Sequence, residues 1–288
     1  MTRRSWLTTL SALAAVPGLL LTAMRRPEDK LPWRTVKVRG QDALRVWERL
    51  RAAGSGYPIV VGDRDEVERL AEMLTFDDRT PQQILAAAAT CRFPDDLAAE
   101  QAREAAAWQA RIAEHPEQRI PVHIIDADGN SRLQTAEERE AEDRAEAAGP
   151  PLGEWPQDAA GNQPLMLARD LLTGKWREEV YIVVLPITDP TEAPAYLKYG
   201  AWNACPAPEV HVAALRRWRD AFGFEVVSMG PDVLEGRVAR RPADRDAALA
   251  LAREQAVYCP DVIDQGAETL SNLGAILMAG DWWFFWWD

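Results

Sequence analysis

The sequence predicts an α+β (α/β) fold in which helices pack on a mixed β-sheet. Two observations carry this prediction. Short apolar runs, such as residues 180–185 and 282–287, are bounded by turn residues, as buried strands are. The stretches between such runs place apolar residues at every third or fourth position, which is typical of helices that bury one face. The segment from 165 to 288 accordingly reads β-α-β-β-α-α-β.

The N-terminal region, residues 36–149, is predicted to open with a β-α-β-α unit. Residues 36–38 alternate apolar and charged side chains and indicate a short strand. An amphipathic helical pattern follows at 42–54 and ends at a Gly-Ser-Gly sequence. The apolar run 57–62 is predicted to be a second strand, and a second helix is predicted to start at Asp63 or Asp65 and to run to Leu74.

An acidic helical insertion is predicted in the second half of this region. Residues 80–115 are Ala-rich and helical in pattern, 120–125 are predicted to form a strand, and 126–130 carry turn residues. The stretch 135–148 starts with a capping box and is very acidic, with almost no apolar stripe. We therefore expect a solvated helix there. Pro, Gly and Asn in 150–164 indicate a linker, where we place a domain boundary.

The C-terminal domain, predicted at residues 165–288, has the clearest pattern. Pro208 and Gly223 bracket an amphipathic helix, because proline is favoured in a first helical turn and glycine at a helix end. The aromatic run at the C-terminus is too short to span a membrane, so we expect a buried strand. In order, the predicted elements are a strand at 180–185, a helix at 208–223, strands at 224–229 and 234–239, a helix at 243–258, a helix from Asp264 or Thr269 to 279, and a strand at 282–287.

The composition argues against some classes of partner. The chain has 288 residues, a formal net charge of −12 and a pI of about 4.9. Binding to nucleic acid or to an anionic membrane needs clustered Lys and Arg, so neither is expected. A basic partner or a cationic ligand fits better, although many acidic proteins are simply soluble. The sequence contains no glycine-rich phosphate loop, no Gly-x-Ser-x-Gly and no His-Glu-x-x-His.

The first residues carry the pattern of an export leader. Residues 2–8 read Thr-Arg-Arg-Ser-Trp-Leu-Thr, which resembles the twin-arginine motif, and no charged residue occurs between Arg4 and Arg25. We expect residues 1–26 to act as a cleaved leader, so that the protein is exported to the periplasm. Two alternatives stay open. In the first, residues 5–24 form an uncleaved membrane anchor, which is then the protein's one contact with a membrane. In the second, the protein is cytoplasmic.

Two Cys-Pro sequences hold the candidate site. Each lies where a loop meets a helix, and helix N-termini favour anions and lower the pKa of thiols. His211 falls in the first turn of its predicted helix, where we expect an exposed or capping side chain. The nearby acidic residues are expected to cap a helix start. The candidate residues are Asn203, Cys205 and His211 around the first sequence, and Cys259, Asp261, Asp264 and Gln265 around the second.

The two cysteines allow four interpretations. Cys205 and Cys259 are buried core residues, or they form a disulfide, which export would permit. A Zn²⁺ site with His211 and Asp261 is a third interpretation, but the spacing matches no standard zinc motif. The fourth makes Cys205 a nucleophile with His211 as its base. We assign no cofactor and no metal, and the other interpretations stay open.

Several of these segments together resemble a known family. They read Tyr-Gly-Ala-Trp-Asn-Ala-Cys-Pro at 199–206, His-Val-Ala-Ala-Leu-Arg-Arg-Trp at 211–218, Tyr-Cys-Pro-Asp-Val-Ile-Asp-Gln-Gly at 258–266, and Phe-Trp-Trp-Asp at 285–288. Their order and spacing are similar to those of DUF4253, a bacterial domain-of-unknown-function family. The resemblance covers roughly residues 180–288, and 43–62 resembles the region that often precedes that domain. It implies no activity, and an export leader departs from the family pattern.

The sequence is most consistent with a non-catalytic binding or interaction module, in one form an inhibitor- or immunity-like protein. The absence of a catalytic motif, the acidic charge and the Trp-rich C-terminus motivate this hypothesis. Its partner would be a protein or a small ligand. The alternative is an enzyme, for instance a hydrolase or a metal-dependent one, with its site at the two Cys-Pro sequences.

Overall fold

A computed structural model describes residues 29–119, 121–125, 129–170 and 172–288 of the protein. The predicted leader or anchor at 1–26 lies outside these residues. Within them, a six-stranded mixed sheet is covered by helices, and a two-stranded sheet stands apart, so the predicted α+β class is confirmed. None of the helices in the described ranges is long and apolar enough to cross a membrane.

The elements follow the predicted order, except that the short helix Ala193–Leu197 lies where no helix was predicted. The predicted helix 80–115 is two helices, because Pro94 interrupts the pattern between them. The elements are β1 Thr35–Val38, α1 Ala43–Ala53, β2 Tyr57–Gly62, α2 Arg64–Met73, α3 Pro81–Ala88, α4 Asp95–Glu114, β3 His123–Ile125, β4 Ser131–Leu133, α5 Ala136–Ala148, β5 Val180–Leu185, α6 Ala193–Leu197, α7 Pro208–Phe222, β6 Glu225–Met229, β7 Val233–Arg237, α8 Arg245–Tyr258, α9 Leu270–Ala279 and β8 Trp282–Trp286.

The large sheet has the strand order β1-β5-β2-β6-β7-β8. Strands β2 and β6 are parallel, and all other neighbours in this sheet are antiparallel. Strand β5 lies between β1 and β2, so that Val183 pairs with Thr35 on one side and with Ile59 on the other. The first two strands therefore belong to the same sheet as the C-terminal strands.

Helices cover both faces of this sheet. Arg237 and Trp282 are direct partners on β7 and β8, so their side chains share a face, and Arg237 lies over the ring of Trp47 from α1. The next residue, Trp283, points to the opposite face, where its ring contacts Trp218 of α7 at 5.6 Å. Helix α1 and helix α7 therefore lie on opposite faces.

Strand β8 is the aromatic strand that the sequence predicts to be buried. Trp283 and Phe285 are 1% and 0% exposed. The ring of Phe285 stacks on Trp218 at 5.3 Å. The alternate residues Phe284 and Trp286 are half-buried. Aromatic side chains of this size bury a large apolar area, so β8 is central to the core although it is an edge strand.

One buried carboxylate fastens a loop to the sheet. Glu235 on β7 is fully buried and accepts hydrogen bonds from the main-chain N–H of Met166 at 2.7 Å and of Leu167 at 3.2 Å. The hydroxyl of Ser228 donates to it at 2.5 Å. Because a buried carboxylate is costly unless it is hydrogen-bonded, these three donors explain how Glu235 is accommodated.

Candidate functional site

The two Cys-Pro sequences meet at one end of the face that α7 and α8 cover. Pro208 starts α7, which places His211 in the first helical turn, and Tyr258 is the last residue of α8. Cys205 ends the loop before α7, and Cys259 caps the C-terminus of α8. The fold thus assembles one cluster from residues that are more than forty positions apart in the sequence.

His211 is at the centre of this cluster. Its Nε2 lies 3.4 Å from the Sγ of Cys205, and its Nδ1 lies 2.5 Å from the hydroxyl oxygen of Tyr258. The rings of Tyr199 and Trp287 pack against it at 4.9 Å and 5.3 Å. His211 is 0% exposed, so the expectation of an exposed or capping side chain is wrong. The reason is that the rings of Tyr199, Tyr258 and Trp287, from three separate parts of the chain, pack around the imidazole.

Burial sets the charge states of the cluster. It raises the pKa of Tyr258 well above its ordinary value, so the Tyr258 hydroxyl stays protonated beside Nδ1 of His211. Burial also lowers the pKa of His211 to about 3, although the Pro206 carbonyl opposes this shift. The imidazole is therefore neutral, with Nδ1 facing the Tyr258 hydroxyl and Nε2 facing the Cys205 thiol.

The cluster does not activate the thiol. A nucleophilic cysteine has a lowered pKa and a base that takes its proton, whereas burial raises the pKa of Cys205 far above its ordinary range. Cys205 is 4% exposed. The contact between Cys205 and His211 is thus that of a neutral thiol with a neutral imidazole.

Cys259 is a second buried thiol. It donates to the main-chain oxygen of Trp286 at 2.9 Å, and burial raises its pKa to about 12. Cys91, Cys205 and Cys259 are all free thiols in the structure. The disulfide between Cys205 and Cys259 therefore stays a prediction about the oxidised protein.

The remaining candidate residues lie on the surface rather than in the cluster. Asp261 accepts hydrogen bonds from the side chain of Gln265 at 3.0 Å and from the main-chain N–H of Asp288 at 3.1 Å. Asp264 and Asn203 are exposed. The set thus divides into three buried residues, Cys205, His211 and Cys259, and four outside the cluster, of which Asp261 is half-buried and Asn203, Asp264 and Gln265 are exposed. Across the described ranges, no three or more His, Cys, Asp or Glu side chains are grouped so as to hold a metal ion.

The loop before α7 has an unusual backbone. Lys198, Gly200, Ala201 and Asn203 all have positive φ angles between 43° and 101°. A Cβ atom on Gly200 would lie 1.9 Å from the Pro206 carbonyl oxygen and 2.7 Å from Nε2 of His211. Glycine is therefore required where the loop closes over the imidazole. Tyr199, Gly200 and Tyr258 belong to the segments that resemble DUF4253, but no local pattern in the sequence indicates their roles around His211.

A second candidate surface is the inserted segment 95–148, which we call the acidic arm. It contains fourteen Asp and Glu and six Arg, a net charge of −8 out of −12 for the whole chain. Its first helix, α4, is attached to the body by the buried Leu97 and by a 3.0 Å hydrogen bond from the Gln101 side chain to the Val257 carbonyl. Residues 102–111 of α4 are exposed all around the helix.

Apolar side chains are exposed on this charged arm. In the β3–β4 hairpin, His123 pairs with Leu133 and Ile125 pairs with Ser131, so Ile125 and Leu133 share one face. Ile125 is 70% exposed and Leu133 is 54% exposed. Trp108 of α4 is 38% exposed. Sequence periodicity indicated a solvated acidic helix here but not the apolar face of the hairpin.

Beside the hairpin, α4 and α5 enclose a cavity of about 260 Å³, which we call the arm cavity. Ion pairs and hydrogen bonds tie its walls together: Arg119 pairs with Asp143, and the Gln134 side chain donates to Glu142 at 2.6 Å. Its lining residues are Trp108, Arg119, Val122, Gln134, Arg139, Glu142 and Asp143.

Comparison with known proteins finds a family match for the C-terminal part of the chain. No curated protein and no solved structure matches the chain. The family model described as "Domain of unknown function (DUF4253)" matches residues 181–288. That range begins within β5 and contains Cys205, His211, Tyr258 and Cys259 of the cluster. The acidic arm lies outside it. Residues 181–288 of this chain therefore form a DUF4253 domain.

Proposed function

We propose that the protein is a non-catalytic interaction protein that binds a basic protein partner through the acidic arm. The observation that carries the proposal is the combination of a net charge of −8 with exposed apolar residues, Ile125 and Leu133, on the same segment. Protein interfaces pair an apolar centre with a polar rim, and charge complementarity steers the partner and fixes its orientation.

The charge of the arm favours a basic partner over a neutral one. Like charges on one small segment repel each other, which destabilises the compact state unless an opposite charge approaches. Two of the arm's arginines, Arg119 and Arg132, are already held by Asp143 and Glu138. Most of the fourteen acidic residues remain for a partner, because six arginines cannot neutralise them.

The second candidate function is an enzyme, for instance a hydrolase or a metal-dependent one, at the two Cys-Pro sequences. The 3.4 Å contact between Cys205 and His211 is the observation that favours it. The neutral thiol and the buried, neutral imidazole favour the binding function instead. The proposal also includes export through the twin-arginine-like leader, so that the partner is sought in the cell envelope.

The proposal can be tested by site-specific photo-cross-linking in whole cells of the native host. A photo-reactive phenylalanine derivative is introduced into the full chain at Ile125 or at Leu133. Leu172 is the matched control, because it is apolar and 96% exposed but lies outside the arm. Adducts are isolated, and the cross-linked partner is identified by mass spectrometry. The complex of the unmodified protein with this purified partner is then reconstituted at low and high salt.

We expect one and the same basic protein at Ile125 and Leu133 and none at Leu172. The reconstituted complex should weaken as salt rises, because screening shortens the range of surface charges to about 8 Å at physiological ionic strength. The same set of adducts at all three positions, or no adduct at the two arm positions, would contradict the proposed function.

A further inference from the structure

We infer that the basic partner binds by adding an extended strand to the outer edge of β3. The inference rests on the proposed function, because it supplies the binding mode at the same arm. Two observations carry it. Strands β3 and β4 form a sheet with no third strand among the described residues, and the face that bears Ile125 and Leu133 is exposed. Sheet edges of this kind bind extended segments through main-chain hydrogen bonds.

The pairing of the hairpin shows which main-chain groups point outward. The N–H of Gln134 donates to the Val122 carbonyl at 2.8 Å, so these two residues form a hydrogen-bonded pair. Hydrogen-bonded pairs alternate along an antiparallel ladder, so the next such residue of β3 is Ile124. The N–H and C=O groups of His123 and Ile125 therefore point away from β4, and we call them the open edge. In the described part of the chain, none of them has a hydrogen-bond partner.

The edge formed by β4 is less available to a partner. The Leu133 carbonyl already accepts a hydrogen bond from the Arg132 guanidinium at 3.2 Å. Two residues after Leu133, the hydroxyl of Thr135 caps the start of α5, so the chain leaves the extended conformation there. On β3 the outward position before His123 is Pro121, which has no N–H to donate. The added strand is therefore short and pairs with β3.

The exposed face of the hairpin determines one side chain of the added strand. Residues opposite each other on neighbouring strands point to the same face. A partner residue opposite Ile125 therefore lies on the face that also carries Leu133. Ile125 is 70% exposed and Leu133 is 54% exposed, so an apolar residue at this position extends an apolar surface that the hairpin leaves open.

Charge selects a basic segment over a second copy of this chain. Pairing the open edges of two copies would bring together two arms that each carry a net charge of −8. Like charges across an interface repel each other, whereas Lys and Arg on either side of an added strand are attracted by the acidic arm. The occupant is therefore an extended segment of the basic partner, with an apolar centre and flanking Lys or Arg.

The open edge can be probed in the full-length protein without the partner. The probe is the peptide acetyl-Lys-Lys-Val-Thr-Val-Thr-Val-Lys-Lys-amide, and hydrogen exchange of isotope-labelled isoleucine amides is followed by NMR. Ile124 is the internal control, because its N–H points to β4. We expect the Ile125 amide to exchange roughly tenfold more slowly at saturating peptide, with little change at Ile124. A peptide with Glu in place of each Lys should not protect Ile125.

A backbone ester at Ile125 removes the outward N–H and keeps the side chain. The matched control is an ester at Leu133, whose N–H points outward on the β4 edge. Fluorescence anisotropy of the labelled peptide should show roughly tenfold weaker binding to the Ile125 ester and unchanged binding to the Leu133 ester.

No peptide binding, unchanged exchange at Ile125, or equal affinities of the two esters would overturn the inference. The outcome is separable from that of the proposed function. Cross-links at Ile125 and Leu133 without protection of the Ile125 amide refute strand addition alone. Protection by the peptide without cross-links in cells refutes the partner alone.

Discussion

Replacing His211 by Asn removes a titrating ring and keeps a hydrogen-bond acceptor near the position of Nδ1, so that the Tyr258 hydroxyl retains a partner. In the folded chain, burial lowers the pKa of His211 to about 3, whereas an unfolded histidine has its ordinary pKa of 6.5. Between these two values the unfolded state binds one proton more than the folded state. This group's contribution to stability is therefore fully present above pH 6.5 and is lost as the pH falls toward 3.

The size of the effect follows from the same two values. One proton of difference changes the free energy of unfolding by about 1.4 kcal/mol per pH unit. Between pH 6.5 and pH 4.5 the unmodified protein should lose roughly 2–3 kcal/mol more stability than the His211→Asn variant. Urea unfolding at a series of pH values, followed by circular dichroism, measures the free energy of unfolding of both chains. The carboxylates are the same in both, so their contribution to the pH dependence cancels in the difference.

His123→Asn is the matched control, because His123 lies exposed on the β3–β4 hairpin and its replacement should leave the pH dependence unchanged. Equal slopes for the unmodified protein and the His211→Asn variant between pH 4.5 and 6.5 would refute the assignment of His211 as a buried neutral side chain. The structural role of the Cys205 contact, which depends on a neutral imidazole, would then fail as well.

Three further substitutions test the packing around the cluster, each measured by urea unfolding. Phe285→Ala removes a fully buried ring and should lower the free energy of unfolding by about 3–5 kcal/mol. Phe284→Ala, on the half-buried side of the same strand, should lower it clearly less. Equal losses would be inconsistent with the observed burial. Glu235→Ala leaves two main-chain N–H groups and the Ser228 hydroxyl without their acceptor and should cost about 1–3 kcal/mol or more, and a neutral effect would contradict its fastening role. Gly200→Ala forces a Cβ against Pro206 and His211 and should prevent stable folding, so an unchanged midpoint would count against the loop geometry.

The elements of the large sheet could be predicted because their signals are local. The strand at Tyr57–Gly62 reads as a continuous apolar run and is buried at every residue. The helix at Pro208–Phe222 carries a proline in its first turn and a glycine in the left-handed conformation at its end. Each of these signals depends on a few neighbouring residues, and no long-range contact is needed to recognise it.

The candidate site could be predicted only in part, because its geometry depends on distant contacts. Periodicity placed His211 at the start of a helix but could not show that the rings of Tyr199 and Trp287 cover it. The hydrogen bond from Tyr258 joins residues 47 positions apart, and no local pattern indicates it. The insertion of β5 between β1 and β2 is a long-range pairing of the same kind. Grouping Asp261 and Asp264 with the cysteines relied on sequence proximity, whereas their side chains lie on the surface.

The most direct test of the choice between a binding protein and a cysteine enzyme is the rate at which each thiol of the native chain is alkylated by iodoacetamide. Cys91 is half-buried, while Cys205 and Cys259 are 4% and 0% exposed, and burial raises the pKa of all three thiols. We expect Cys91 to react first and Cys205 and Cys259 to react only as fast as the protein unfolds. Rapid alkylation of Cys205 in the folded protein, ahead of Cys91 and already at neutral pH, would contradict the structural role of the cluster and favour an enzyme.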